Sequence, residues 1–183
     1  IVYLIDNNSI DDSILYVQKN HSTVKIILLD KNYGYAGGYN KGINSIEEDL
    51  ICLLNNDVLV KPKWLFPVLD FFKNFPKTAI VQPHIMDLNK PNKFEYAGAA
   101  GGFIDRLGYP YCRGRLFSHL EEDHGQYDKN KKIFWASGSC FFVRKKVFQS
   151  LGGFDEDFFA HMEEIVFCWR ALNKNLKIYS LYQ

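Results

Sequence analysis

Residues 53–62, LLNNDVLVKP, pass from apolar to polar without transition. Ile51, Cys52, Leu53 and Leu54 run straight into Asn55, Asn56 and Asp57, two amides and a carboxylate that need hydrogen bonds or a cation. Two other apolar runs stop in the same manner. Residues 1–5 (IVYLI) end at Asp6, Asn7 and Asn8, and residues 24–29 (VKIILL) end at Asp30, Lys31 and Asn32. A carboxylate at such a strand end can accept from a ligand's N–H or hydroxyl, or hold a hard cation through oxygen. The loop after the second run, YGYAGGYNKG, carries Gly34, Gly37, Gly38 and Gly42. Glycines let backbone approach a phosphate, and a helix opening there offers unpaired N–H groups to an anion. Each feature also has a plainer reading: a helix-capping Asx turn at Asp6, an ordinary turn in the glycine loop, a simple strand stop at Asp57.

These side chains need elements to aim them. The short apolar runs at 1–5, 24–29, 50–54 and 79–82 read as strands covered on both faces. Helical patterns lie between them. Ser9-x-x-Asp12 resembles a capping box and opens a helix to about Lys19. A second helix runs from about Ala36 to Glu47. Pro62 starts a third, with Trp64, Leu65, Val68, Leu69 and Phe72 on one face. Strands alternating with helices specify an α/β fold, a mostly parallel sheet with helices on both faces. Ligands of such sheets sit beyond the carboxyl ends of the strands, so the three polar ends line one crevice. Residues 87–132 are loop-rich, with short antiparallel pieces. IFWASGSCFFVRKKVF, residues 133–148, reads as two strands around a Ser-Gly-Ser interruption. A helix over 145–151 then ends at Gly152-Gly153. A helix from about Met162 and a strand at 176–181 (LKIYSL) follow.

The totals exclude several classes. A chain of 183 residues makes one domain with a sizeable core, and 47% hydrophobic residues exclude disorder. A net charge of +1, from 22 basic and 21 acidic residues, excludes a broad basic face for nucleic acid. No apolar stretch approaches the length of a transmembrane segment. Cys52, Cys112, Cys140 and Cys168 form no C-x-x-C pair and read as buried, reduced thiols of a cytosolic protein.

Four segments occur in a telling order: LIDNNSIDDS, KNYGYAGGYNKGI, LLNNDVLVKP and ASGSCFFVRKKVFQSLGGFDEDFFAHMEE. Together they resemble the family 2 glycosyltransferases with a GT-A (Rossmann-like) fold, above all the bacterial rhamnosyltransferase-like branch. The resemblance runs over essentially the whole chain. It implies one glycosyltransferase domain, residues 1–86 binding a nucleotide sugar and residues 87–183 binding an acceptor. The implied donor contacts are Asp6, Asn8, Gly34, Gly38, Asn40, Lys41, Asn56 and Asp57. Asp6 would accept from a pyrimidine N3–H or a ribose hydroxyl. Asp57 falls at the last position of the family's metal motif, which makes it the implied ligand of Mn²⁺ or Mg²⁺, with the diphosphate supplying further oxygens. Glu164 inherits the role of general base. Trp135, Gly138, Asp155, Glu163 and Arg170 fall on the implied acceptor side, where aromatic faces can stack on sugars.

The chain also departs from the family pattern. Asn55 stands where an Asp is frequent, as is usual in this branch. Val166 stands where an Asp usually follows the base, which leaves Arg170 without that i, i+4 partner. The family's first strand with its helix, and a histidine that often completes the metal site, are expected outside residues 1–183. The chain is therefore expected to be truncated at both ends.

The implied activity is inverting, metal-dependent transfer of a sugar from a nucleotide-diphosphate sugar to a hydroxyl of a saccharide or lipid-linked saccharide. The implied setting is surface polysaccharide or lipopolysaccharide synthesis in the cytoplasm, with room for peripheral association at the inner face of the membrane. Nucleic acid is not an expected partner. Two alternatives stand beside it. A nucleotidyltransferase of related fold also uses a metal, but the Glu163-Glu164 pair argues against it. A degenerate, non-catalytic nucleotide-binding remnant is favoured by Val166.

Overall fold

The structure is a computed structural model and describes residues 1–182. Strands and helices alternate through β1 (Tyr3–Asp6), α1 (Ser13–Asn20), β2 (Lys25–Leu28), α2 (Gly34–Asn44), β3 (Leu50–Leu54), α3 (Leu65–Asn74) and β4 (Thr78–Pro83). Two small hairpins follow, β5 (Gly102–Ile104) with β6 (Pro110–Cys112) and β7 (Arg115–Leu116) with β8 (His119–Leu120). β9 (Lys131–Lys132), β10 (Cys140–Arg144), α4 (Lys145–Ser150), α5 (Glu163–Asn173) and β11 (Lys177–Leu181) complete the order.

β1 and β2 pair in parallel as a two-stranded ribbon. The main sheet has the order β3-β10-β4-β11-β9, so strands from both sides of residue 86 share it. β3, β4 and β11 point one way, as the alternating pattern requires. β10 runs antiparallel to both β3 and β4, and β9 antiparallel to β11, so the sheet is mixed. The reason is local. A βαβ crossover keeps strands parallel, whereas β10 returns from the hairpin region beyond the carboxyl end of β4.

Several boundaries shift for identifiable reasons. α1 starts at Ser13, and no capping box forms at Ser9, because Asp6 accepts the Ser9 N–H at 3.2 Å. α2 starts early, at Gly34, whose N–H donates to Asn32 Oδ1 at 2.8 Å. In α3 the buried face is Val68, Phe71 and Phe72, while Leu65 and Leu69 are exposed. The strand expected just before the Ser-Gly-Ser interruption is replaced by single contacts. Ile133 donates to Ile178 O at 3.1 Å, and Trp135 pairs with Gly102.

Both faces of the main sheet are covered. α3 packs Val68, Phe71 and Phe72 against Val81, Cys140 and Phe142. On the other face α2, α4 and α5 enclose a larger core. Its centre is a ring cluster: Phe148 lies 5.1 Å from Phe154 and from Phe167, and Phe141 lies 5.9 Å from Phe167. Burying each ring contributes roughly 2 kcal/mol. Tyr35 and Tyr39 of α2 extend the cluster, 6.0 and 6.5 Å from Phe154. Aromatic packing thus fixes the glycine-rich helix against α5. Among the described residues no helix is long and apolar enough to cross a membrane.

Candidate active site

The residues expected to contact a donor are engaged mostly with one another and with the chain around them. Asp6 is buried, and both carboxylate oxygens face the Ser9 N–H, at 3.3 and 3.2 Å, so the turn reading of this residue is realised. Asn7 is the organiser of the crevice. Its Nδ2 donates to Asn32 Oδ1 at 3.0 Å and to Gly34 O at 2.8 Å, and its Oδ1 accepts the Tyr33 N–H at 2.9 Å. Phe159 O accepts the Tyr35 N–H at 2.9 Å. The N–H groups of Tyr33, Gly34 and Tyr35, expected to be free for an anion, are therefore taken by the chain itself. Gly34 has φ 69°, and a Cβ there would lie 2.5 Å from the Phe159 carbonyl oxygen. The glycine serves a close approach, but to the protein's own backbone. Lys41 is exposed, with Nζ 4.1 Å from the Tyr33 ring centre, and Asn8 is exposed with φ 65°. A Cβ at Gly38 would lie 3.1 Å from Asn7 Nδ2.

Asn40 is a clamp between α2 and the turn before α5. Its Nδ2 donates to Phe154 O at 2.8 Å and Glu156 Oε1 at 3.0 Å, and its Oδ1 accepts the Phe154 N–H at 2.8 Å. The end of β3 is held just as firmly. Asn55 N–H donates to Ser139 O at 3.1 Å, and Tyr39 OH donates to Leu54 O at 3.4 Å. Asn56 and Asp57 then turn out into water, both exposed. Among the described residues no three His, Cys, Asp or Glu side chains gather to hold a metal. A single exposed carboxylate beside amides fits a hard cation that takes its other oxygens from phosphates and water, not a protein cage.

The two carboxylates at the start of α5, expected on the acceptor side, are arranged differently. α5 is entered through two non-glycine residues with positive φ, His161 at 73° and Met162 at 76°. Glu163 is buried and Glu164 half-buried. The Oε2 atom of each is shielded from water and has no hydrogen-bond partner among the described residues. Burial, and then the Glu163 charge beside it, raises the Glu164 carboxyl to about 7. Burial raises Glu163 as well. The helix N-terminus favours a carboxylate by only about 0.3–1 kcal/mol, which burial outweighs here. The result is a carboxylate that holds and releases a proton near neutrality.

The remaining acceptor-side candidates are braces. Arg170 has partners after all: its guanidinium donates to Leu151 O at 2.7 Å and Gly153 O at 2.6 Å, pinning the turn after α4. Trp135 is buried, and its indole N–H donates to Phe103 O at 2.8 Å. Asp155 Oδ1 accepts the Asp157 N–H at 3.1 Å within a turn. Gly138 O accepts from Tyr35 OH at 2.7 Å, which joins the glycine loop to the Ser-Gly-Ser segment. Asn7 and Asn32 were legible as polar strand ends lining the crevice, but not as the residues that hold the glycine loop. The contacts of the Tyr35 hydroxyl and the Phe159 carbonyl carry no sequence signal.

A family model described as Glycosyl transferase family 2 matches residues 2–152, a stretch that stops before α5. An N-acetylglucosaminyl-diphospho-decaprenol L-rhamnosyltransferase of Mycobacterium tuberculosis is 26% identical over 90% of this chain and 58% of its own length. The low-salt glycan biosynthesis hexosyltransferase Agl10 of Haloferax volcanii is 26% identical over 96% of this chain and 54% of its own length. The chain thus spans a little over half the length of these relatives. Among solved structures, GalNAc-T7 with UDP, GalNAc and Mn²⁺ superposes with a TM-score of 0.72 at 13% identity, covering 98% of this chain and 36% of that one. TarS 1-349 of S. aureus in complex with UDP gives 0.61 at 14% identity, covering 100% of this chain and 51% of that one. These likenesses establish the GT-A fold, and by the family match the chain belongs to glycosyl transferase family 2.

Proposed function

We propose that the chain is the donor-binding and catalytic part of an inverting glycosyltransferase that moves a sugar from a nucleotide diphosphate to an acceptor hydroxyl. The observation that carries this is Glu164, a half-buried carboxylate whose Oε2 has no hydrogen-bond partner among the described residues and whose pKa is raised to about 7. A general base works best when its pKa lies near the working pH. The acceptor hydroxyl oxygen attacks the anomeric carbon, the bond from that carbon to the diphosphate oxygen breaks, and the hydroxyl proton passes to Glu164. Attack from the face opposite the leaving group inverts the configuration.

Residues 1–86 supply the donor side and residues 87–183 the acceptor side, with the exposed Asn56 and Lys41 available to the donor and Asp6 shaping the turn beneath it. Asp57 holds Mn²⁺ or Mg²⁺, which when bound neutralises charge on the departing diphosphate. A lipid-linked saccharide at the cytoplasmic face of the membrane suits the acceptor role, since the mycobacterial relative is named for an N-acetylglucosaminyl-diphospho-decaprenol. Surface polysaccharide synthesis is the corresponding process. The test is a thermal-shift panel of UDP-, GDP- and dTDP-sugars with and without Mn²⁺ on the whole protein. Stabilisation by one donor class only when Mn²⁺ is present supports the reading, and no shift with any of them opposes it.

A further inference from the structure

Tyr35 lies where the two sides of the site meet. Its backbone N–H donates to Phe159 O at 2.9 Å, and its hydroxyl donates to Gly138 O at 2.7 Å. Its ring sits 4.8 Å from Tyr39 and 6.0 Å from Phe154. The segment that it holds is otherwise tied to the rest of the site. Ala136 N–H donates to Cys168 Sγ at 3.5 Å, Ser137 N–H to Gln82 Oε1 at 2.7 Å, and Asn55 N–H to Ser139 O at 3.1 Å. Cys168 is one turn after Glu164 on the same face of α5. Ala136 therefore lies against the α5 face that carries Glu164, and Tyr35, through Gly138 O, ties the same segment to α2.

We infer that Tyr35 is a positioning residue, whose hydroxyl bond to Gly138 O holds the 136–138 segment over Glu164 and keeps that carboxylate from water. The inference rests on the reading of Glu164 as the base. The titratable groups that face Glu164 are Glu163 on α5, Cys168 one turn on, and Tyr35 from α2, with His161 acting on Glu163. Neither the phenol nor the thiol ionises near neutrality, because burial raises both. Water exclusion and the Glu163 charge are then what keep the Glu164 proton on. Losing the hydroxyl frees the segment and lets water reach the carboxylate, which lowers its pKa.

The experiment is a ¹³C NMR titration of the Glu164 carboxyl in the whole protein, assigned with Glu164→Gln. In Tyr35→Phe the midpoint falls by about one pH unit or more toward the ordinary glutamate value near 4.3. Gly138→Ala attacks the same bond from the other side, since a Cβ there would sit 2.8 Å from the Tyr35 hydroxyl oxygen. It produces the same fall, and it decides the matter alone should Tyr35→Phe not fold. Tyr39→Phe, which loses a hydroxyl bond to Leu54 O instead, leaves the midpoint in place. An unchanged or raised midpoint in Gly138→Ala, or an equal fall in Tyr39→Phe, overturns the inference. Failure of the underlying reading looks different: Glu164→Gln then turns over donor at the wild-type rate, whatever the midpoints do.

Discussion

The crevice lined by β1, β2 and α2 and the first turn of α5 are both rich in polar side chains, and they use them in opposite ways. In the crevice Asp6, Asn7, Asn32 and Asn40 bond to the chain itself, so that the glycine-rich helix is held before any ligand arrives. At α5 two carboxylates each keep an oxygen that is out of water and unpaired among the described residues. An unpaired buried polar atom costs about 1–3 kcal/mol. The proposed role of Glu164 as a base gives that unpaired oxygen a use, whereas the paired side chains of the crevice hold the glycine-rich helix in place.

The sharpest way to break this contrast is Glu164→Gln. It removes the proposed base and keeps the shape, so turnover is expected to fall by about 10²-fold or more while donor binding is unchanged. Single-turnover assays and calorimetry on the same preparation check this, and loss of donor binding instead would move Glu164 to the donor side. Next in size, Asn40→Ala orphans both main-chain groups of Phe154. A loss of about 2–3 kcal/mol is expected in a urea melt. A change within about 0.5 kcal/mol would show that the clamp is dispensable.

The raised Glu164 pKa also has a stability sign. Folded, the carboxyl keeps its proton up to about 7. Unfolded, it loses it near the ordinary value of about 4.3. Between these values the native state binds more protons, so stability is fully present below the lower value and falls as pH rises through the upper one. Glu164→Gln removes this dependence. After allowance for the water that still reaches a half-buried group, it gains about 1–2 kcal/mol over wild type at pH 8, and less at pH 5. Parallel melts at the two pH values test it, and a larger gain at pH 5 contradicts the burial account.

The smallest stability effect belongs to Asp57→Ala. An exposed carboxylate at a turn changes stability by no more than about 0.5 kcal/mol. Its consequence is confined to the Mn²⁺-dependent part of donor binding, which the thermal-shift panel reads directly. A substantial destabilisation without loss of that dependence would return Asp57 to a structural role.

Strand ends were legible where apolar residues run on within one element, whereas the α3 face was only partly so, since Leu65 and Leu69 are exposed and Phe71 is buried. The runs at 1–5, 24–29 and 50–54 stop where β1, β2 and β3 stop, to within a residue or two, because apolar continuity marks a covered strand. Glu163-Glu164 was legible as a helix start. The direction of β10 was not, since Cys140–Arg144 reads the same in either direction. Arg170 looked unpartnered because its acceptors are carbonyls, 17 and 19 residues upstream, which no side chain announces. One of the free amides expected at α2 failed for the same reason, since Phe159 O reaches Tyr35 from far along the chain, while asparagine side chains take the Tyr33 and Gly34 amides. Contacts made by side chains within a few residues can be read from sequence, and contacts made by distant backbone cannot.

The pH dependence of kcat in the whole protein, measured with the donor that the panel identifies, tests Glu164 as the base most directly. With Glu164 as the base, the rate rises tenfold per pH unit on the acid side, bends near the carboxyl's raised value of about 7, and levels off above it. A rate that is flat from pH 5.5 to 8.5, on the order of the span over which Glu164 must change charge, contradicts the assignment of the base.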